Sequence, residues 1–180
     1  VGTLDRFHGQ ATGLFSGDEH LAGRNPARGT ELCAVVEYAA SLERAARATG
    51  ETRYADRLER IVYNALPATF TADMCAHQYD QQVNQVLCAV EERPWSNGPD
   101  ATTFGQTPTY GCCQANFGQG WPKFAASLWA RGDDGPVALA YGPSRVSTTV
   151  AGEQVLLVQD TEYPFADTVT IRVETAPSTA

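Results

Sequence analysis

At 180 residues, 43% hydrophobic and 9% aromatic, the chain has the composition of a globular domain with a sizeable core, which excludes a disordered segment. Thirteen basic against twenty-one acidic residues leave a net charge of -8, which excludes a polybasic surface for a nucleic-acid backbone or an anionic membrane and favours a neutral small molecule or glycan. No run of about eighteen apolar residues suggests a membrane span.

Residues 1–30 read as loop, with glycines at 2, 9, 13, 17, 23 and 29 around Ser16-Gly17-Asp18-Glu19-His20. Two adjacent carboxylates beside an imidazole are acid/base candidates, because like charges raise one another's pKa; Asp beside Gly is equally ordinary chemistry for a solvated turn. From about Leu32 to Thr49 the residues Val35, Val36, Ala39, Leu42 and Ala46 recur at helical spacing, with Glu43, Arg44 and Arg47 opposite and Gly50 as the stop. Glu31 and Cys33 would point about 200° apart on a regular helix, so if they serve one site the helix has to begin after them. Thr52 is the predicted cap of a second helix, Arg53 to about Leu66, whose core face is Tyr54, Leu58, Ile61, Val62 and Ala65 and which Pro67 ends.

Residues 68–108 are weakly periodic and rich in side-chain amides, above all in the run His77-Gln78-Tyr79-Asp80-Gln81-Gln82-Val83-Asn84-Gln85. Amide, imidazole and phenol groups read sugar hydroxyls, which makes His77 and Tyr79 candidate sugar contacts; a solvated loop fits the same run. The irregular stretch 91–108, with Pro94, Trp95, Asn97 and Pro108, has the length of a functional loop. Pro122 is predicted in the first turn of a helix running to about Ala130, with Gly132 as its stop. Short β-branched runs follow at Val137–Tyr141, Arg145–Val150, Gln154–Gln159 and Thr168–Glu174. The change of period near Gly132 to Pro136 divides the chain into a helical part, 1–133, and a strand part, 134–180. Opening at Val1 and ending soon after a strand-like run, the chain reads as a piece of a longer protein.

The five cysteines, at 33, 75, 88, 112 and 113, are odd in number and lack a framework spacing. A disulfide between neighbours Cys112 and Cys113 would strain the peptide between them, whereas both sulfurs can reach one soft cation. With Glu31 and Cys33 they make three sulfurs and one carboxylate, a tetrahedral zinc set; the alternative makes the cysteines small buried apolar fillers, the reading given to Cys75 and Cys88. A closed zinc site is normally structural. Zinc also holds a cysteine as thiolate, and a thiolate can attack a glycoside if a nearby acid protonates the leaving group; Glu19 is the candidate acid and Asp18 its alternative.

Three stretches carry a resemblance: Gly29-Thr30-Glu31-Leu32-Cys33-Ala34-Val35-Val36-Glu37-Tyr38, the segment Tyr54 to Asn64, and Tyr110-Gly111-Cys112-Cys113 followed by Asn116. Together they resemble glycoside hydrolase family 127, which includes the β-L-arabinofuranosidases, over roughly residues 1–145. The resemblance implies a retaining glycosidase built on an (α/α)6 barrel followed by antiparallel β-sandwich domains. It matches Glu31, Cys33, Cys112 and Cys113 to zinc ligands, Cys112 to the nucleophile and, more loosely, Glu19 to the acid/base group. With 180 residues the expected fold is therefore a partial α/α barrel and the start of an antiparallel β-sandwich, with apolar surface where flanking parts of the chain would pack. The rival expectations are a non-catalytic, zinc-stabilised glycan-binding or structural module and a related glycosidase acting on a different sugar.

Overall fold

Helix α2 (Leu32–Thr49) forms where the apolar residues recur every three to four positions, and it buries that stripe, Leu32, Val35, Val36, Ala39, Leu42 and Ala46, at the centre of the core. It stops at Gly50, whose left-handed backbone (φ 69°) lets its N–H reach the Ala46 carbonyl at 2.9 Å. The computed structural model describes residues 1–93, 96, 98–106 and 111–176; Tyr110 of the cysteine-pair motif and Pro94, Trp95, Asn97 and Pro108 of the irregular stretch lie outside them.

The start of α2 corrects the sequence expectation. Strand β1 (Gly29–Glu31) runs directly into it, Glu31 is the capping residue in extended conformation (φ -63°, ψ 142°), and Cys33 is already the second helical residue. The switch from strand to helix between 31 and 32 abolishes the 200° separation, so both side chains reach one point without delaying the helix. Strand β2 (Asp80–Gln82) pairs antiparallel with β1, Glu31 opposite Asp80, and the Leu32 N–H donates to the Tyr79 carbonyl at 2.9 Å. This pairing draws His77, Gln78, Tyr79 and Asp80 into the interior, against the reading of that run as a solvated loop.

Helix α3 (Thr52–Arg60) continues through a π turn (Ile61–Ala65) and a 3-10 turn (Pro67–Thr69), burying Leu58, Ile61, Val62, Ala65 and Leu66. Thr52 is its first residue rather than its cap; Glu51 holds the capping position without a side-chain bond. Nor are residues 1–30 all loop: α1 (Gly2–His8) lies among them, and Arg57 of α3 fixes it by donating to Asp5 at 2.8 and 3.2 Å and to the Gly13 carbonyl at 2.8 Å.

Helix α4 (Gly111–Ala126) packs on α2. It begins before the predicted position, so the cysteine pair lies in its first turn and Pro122 inside it. There the proline has no N–H to bond four residues back, and its ring crowds the carbonyl at that position. The helix approaches closely at Gly120, where a Cβ would stand 3.2 Å from both a Leu66 and a Val36 methyl.

The expected continuation to Ala130 is replaced by β3 (Trp129–Gly132), which turns at Asp133-Asp134 into β4 (Gly135–Ala138). Strands β5 (Ser144–Val150), β6 (Glu153–Thr161) and β7 (Val169–Thr175) form an antiparallel sheet in that order; Ala151 and Gly152, at φ 51° and 87°, make the tight β5–β6 turn. Glu59 ties α3 to this part by accepting from the Tyr141 N–H (2.6 Å) and the Tyr163 hydroxyl (3.0 Å). The chain is thus a mixture of helices and antiparallel sheets, and no helix among the described residues is long and apolar enough to cross a membrane.

Candidate metal and acid/base site

The strand-to-helix junction at Glu31 and the first turns of α2 and α4 meet at one place. Cys33 Sγ lies 3.5 Å from Cys113 Sγ, and Glu31 Oε1 lies 3.9 Å from Cys112 Sγ and 3.8 Å from Cys113 Sγ. All four donor atoms fall within 4.8 Å of one another. Ligands held about 2.3 Å from one tetrahedral ion stand about 3.7 Å apart, so this sulfur-rich set fits a single metal ion with zinc-like preferences. Cys113 and Glu31 are buried and Cys33 is half-buried; Cys112 alone of the four is exposed.

Without a cation, Glu31, Cys33 and Cys112 hold their protons more tightly than usual. Burial pushes the Glu31 carboxyl up, partly offset by hydrogen bonds from the Cys33 thiol and the Glu19 backbone amide. The hydrogen bond with Cys113, then burial, drives the Cys33 thiol far above the usual cysteine range, and burial followed by Cys33 raises Cys112. A bound cation would reverse this by favouring every ionised donor at once.

Glu19 stands beside this cluster. It lies exposed at a loop tip with φ 59°, and the buried Tyr79 hydroxyl donates to its Oε1 at 3.2 Å. Asp18, by contrast, is 1% exposed, so the solvated-turn reading fits Glu19 and His20 but not Asp18. His77 is buried too: its ring stacks on Phe117 of α4 (centroids 5.9 Å apart, 26° between planes), Nδ1 lies 3.2 Å from the Gln78 carbonyl, and Nε2 has no hydrogen-bond partner among the described residues.

Two functional candidates escaped the sequence reading. Asp80 is fully buried opposite Glu31, and neither of its oxygens closes a conventional hydrogen bond among the described residues. Burial, then the neighbouring Asp18 carboxyl, pushes Asp80 up to about 10. Its signal was present, an acid inside the polar run, but only the β1–β2 pairing reveals its burial. His8, whose Nδ1 accepts the Gly23 N–H at 2.9 Å, carries no sequence signal. Cys75 and Cys88 are exposed, which corrects their reading as buried fillers; neither joins the cluster.

The family model for the beta-L-arabinofuranosidase, GH127 catalytic domain, matches residues 6–126. None of the curated proteins matches the chain. Among solved structures, a glycoside hydrolase matches with a TM-score of 0.73 at 20% identity, covering 87% of this chain and 25% of that one. A GH127 beta-arabinofuranosidase matches at 0.71 and 21% identity over 92% of this chain and 25% of its own. A GH127 beta-L-arabinofuranosidase from Geobacillus stearothermophilus T6 matches at 0.72 and 20% identity over 91% and 27%. The chain therefore spans about a quarter of the length of these proteins, and the likeness to them is one of fold.

Proposed function

The chain belongs to the GH127 beta-L-arabinofuranosidase catalytic-domain family, and from that premise we propose that it carries the catalytic centre of a retaining glycoside hydrolase that removes β-L-arabinofuranosyl residues. The observation that carries this reading is the convergence of Glu31, Cys33, Cys112 and Cys113 with only Cys112 exposed, beside a second carboxylate at Glu19. Zinc, when bound by these four, would hold the sulfurs as thiolates at neutral pH.

Cys112 Sγ attacks the anomeric carbon; as the carbon–sulfur bond forms the carbon–oxygen bond breaks, and Glu19 passes its proton to the departing oxygen. Water then attacks the same carbon, Glu19 takes up its proton, and Cys112 leaves as thiolate. The Tyr79 hydroxyl holds the Glu19 carboxyl in place through both steps. For the architecture, residues 1–133 are read as part of an α/α barrel and 134–180 as the start of an antiparallel β-sandwich. The close α2–α3 hairpin and the β5–β6–β7 sheet support that division.

Metal analysis and one substitution test the function. Zinc is expected at one ion per chain, and Cys112→Ala is expected to abolish release of nitrophenol from nitrophenyl β-L-arabinofuranoside by the intact enzyme while leaving it folded. A sugar trapped on Cys112, seen by intact mass, supports the double displacement; unchanged turnover in Cys112→Ala overturns it.

A further inference from the structure

The loop that presents Glu19 is pinched at its neck. Ser16 Oγ donates to the Gly23 carbonyl, the Ala22 N–H donates to the Ser16 carbonyl at 3.4 Å, and Gly17 and Leu21 pair as an isolated bridge. Both ends of the neck rest on one residue. The His8 carbonyl accepts the Ser16 N–H at 2.9 Å, and the His8 ring accepts the Gly23 N–H through Nδ1 at 2.9 Å. A backbone N–H donates only to an unprotonated ring nitrogen, so the imidazole proton sits on Nε2.

His8 is itself anchored. It closes α1, whose Asp5 is gripped by Arg57, and Gly9 follows where a Cβ would stand 2.5 Å from the Asp5 carbonyl oxygen. A line of contacts thus runs from α3 through Arg57, Asp5 and His8 to the neck of the loop. At its tip Glu19 keeps a left-handed backbone (φ 59°), which a non-glycine residue holds only where its surroundings over-determine it.

We propose that His8 is a positioning residue for Glu19: by clasping both ends of the Ser16–Gly23 loop, it fixes the carboxyl where Tyr79 and the reacting oxygen meet it. The proposal rests on Glu19 being the acid/base group. His8→Ala, His8→Asn and His8→Gln in the intact enzyme test it, because an asparagine oxygen takes the place of Nδ1 as acceptor whereas a glutamine amide reaches toward Nε2 and misses Gly23.

Hydrogen–deuterium exchange of the peptide covering residues 16–23 is expected to quicken about fivefold to tenfold in the Ala and Gln variants, the loss of one hydrogen bond, and to stay at the wild-type rate in Asn. Turnover on nitrophenyl β-L-arabinofuranoside should fall about tenfold in kcat with KM within about twofold for Ala and Gln, and recover in Asn. Should His8→Ala not fold, the Asn and Gln pair carries the same contrast. Equal exchange in all four proteins overturns the clasp. Altered exchange with unchanged kcat overturns its role in positioning Glu19. A wild-type enzyme inactive on the glycoside, with the exchange pattern intact, instead removes the acid/base reading and leaves the clasp standing as structure alone.

Discussion

Asp80 is fully buried, opposite Glu31 and beside Asp18, and burial followed by the Asp18 charge pushes its carboxyl from 3.8 up to about 10. A carboxyl whose folded pKa lies above its unfolded value holds its proton more tightly in the native state. Its contribution to stability is therefore complete below the unfolded value and is lost as pH rises toward the folded one. Each pH unit in that window costs about 1.4 kcal/mol. Between about pH 5 and about pH 8 the loss is about 4 kcal/mol if the pair stays dry and about 2 kcal/mol if water reaches it. Asp80→Asn keeps the size of the side chain, offers an N–H to Asp18 and cannot titrate. Urea unfolding of the metal-free wild type and variant at those two pH values isolates the effect, since every other group titrates in both. The stability difference should move in favour of the Asn variant by about 2–4 kcal/mol as pH rises across that window, with m values unchanged. Parallel pH profiles would refute the account of a proton held on Asp80.

Metal binding should release protons, because Glu31, Cys33 and Cys112 all have raised pKa values in the cation-free cluster. Calorimetry of zinc binding in buffers of different ionisation enthalpy should show the release, with affinity rising as pH rises; affinity independent of pH would contradict it. Gly120→Ala should cost about 1–3 kcal/mol in chemical denaturation, since its Cβ would press on Leu66 and Val36 at 3.2 Å, whereas Gly118→Ala, with nothing within 4 Å, should be neutral or stabilising by up to about 1 kcal/mol. Equal effects at the two glycines would show that α2 and α4 are not in close contact at Gly120.

What the sequence made legible was local. The stripe of α2, the stop at Gly50 and the β-branched strands β5 to β7 each follow from neighbours within one element, and all three formed close to where their patterns lie. The convergence of Glu31, Cys33, Cys112 and Cys113 was legible as well, because sulfur beside sulfur has few uses. What escaped depends on partners far along the chain. Cys33 entered the helix because β1 pairs with β2 some fifty residues later and bends the chain at Glu31. Trp129 looked like the last turn of a helix, but its indole N–H finds Ser144 Oγ at 3.0 Å and its backbone pairs with β4. Pro122 looked like a helix start, a preference of that position rather than a requirement. His8 acts through a bond to a main-chain N–H, which no residue pattern encodes.

The direction of α4 bears on how the cluster could hold a cation. Cys33 meets Cys113 at the starts of α2 and α4, and Ser127, just past the end of α4, donates to Glu43 far along α2 at 2.9 Å, so the two helices run parallel. Parallel packing brings two positive dipole ends together, an arrangement that favours anions at the shared end. Three sulfurs and a carboxylate occupy it, yet burial raises the Glu31 carboxyl and the Cys112 thiol, and the hydrogen bond with Cys113 raises the Cys33 thiol. A divalent ion held by Glu31, Cys33, Cys112 and Cys113 would favour their ionised forms and would leave Cys112, the exposed member, as a thiolate toward solvent. Parallel neighbours also cannot be joined by a short turn, and α3, packed against α2, supplies the return path.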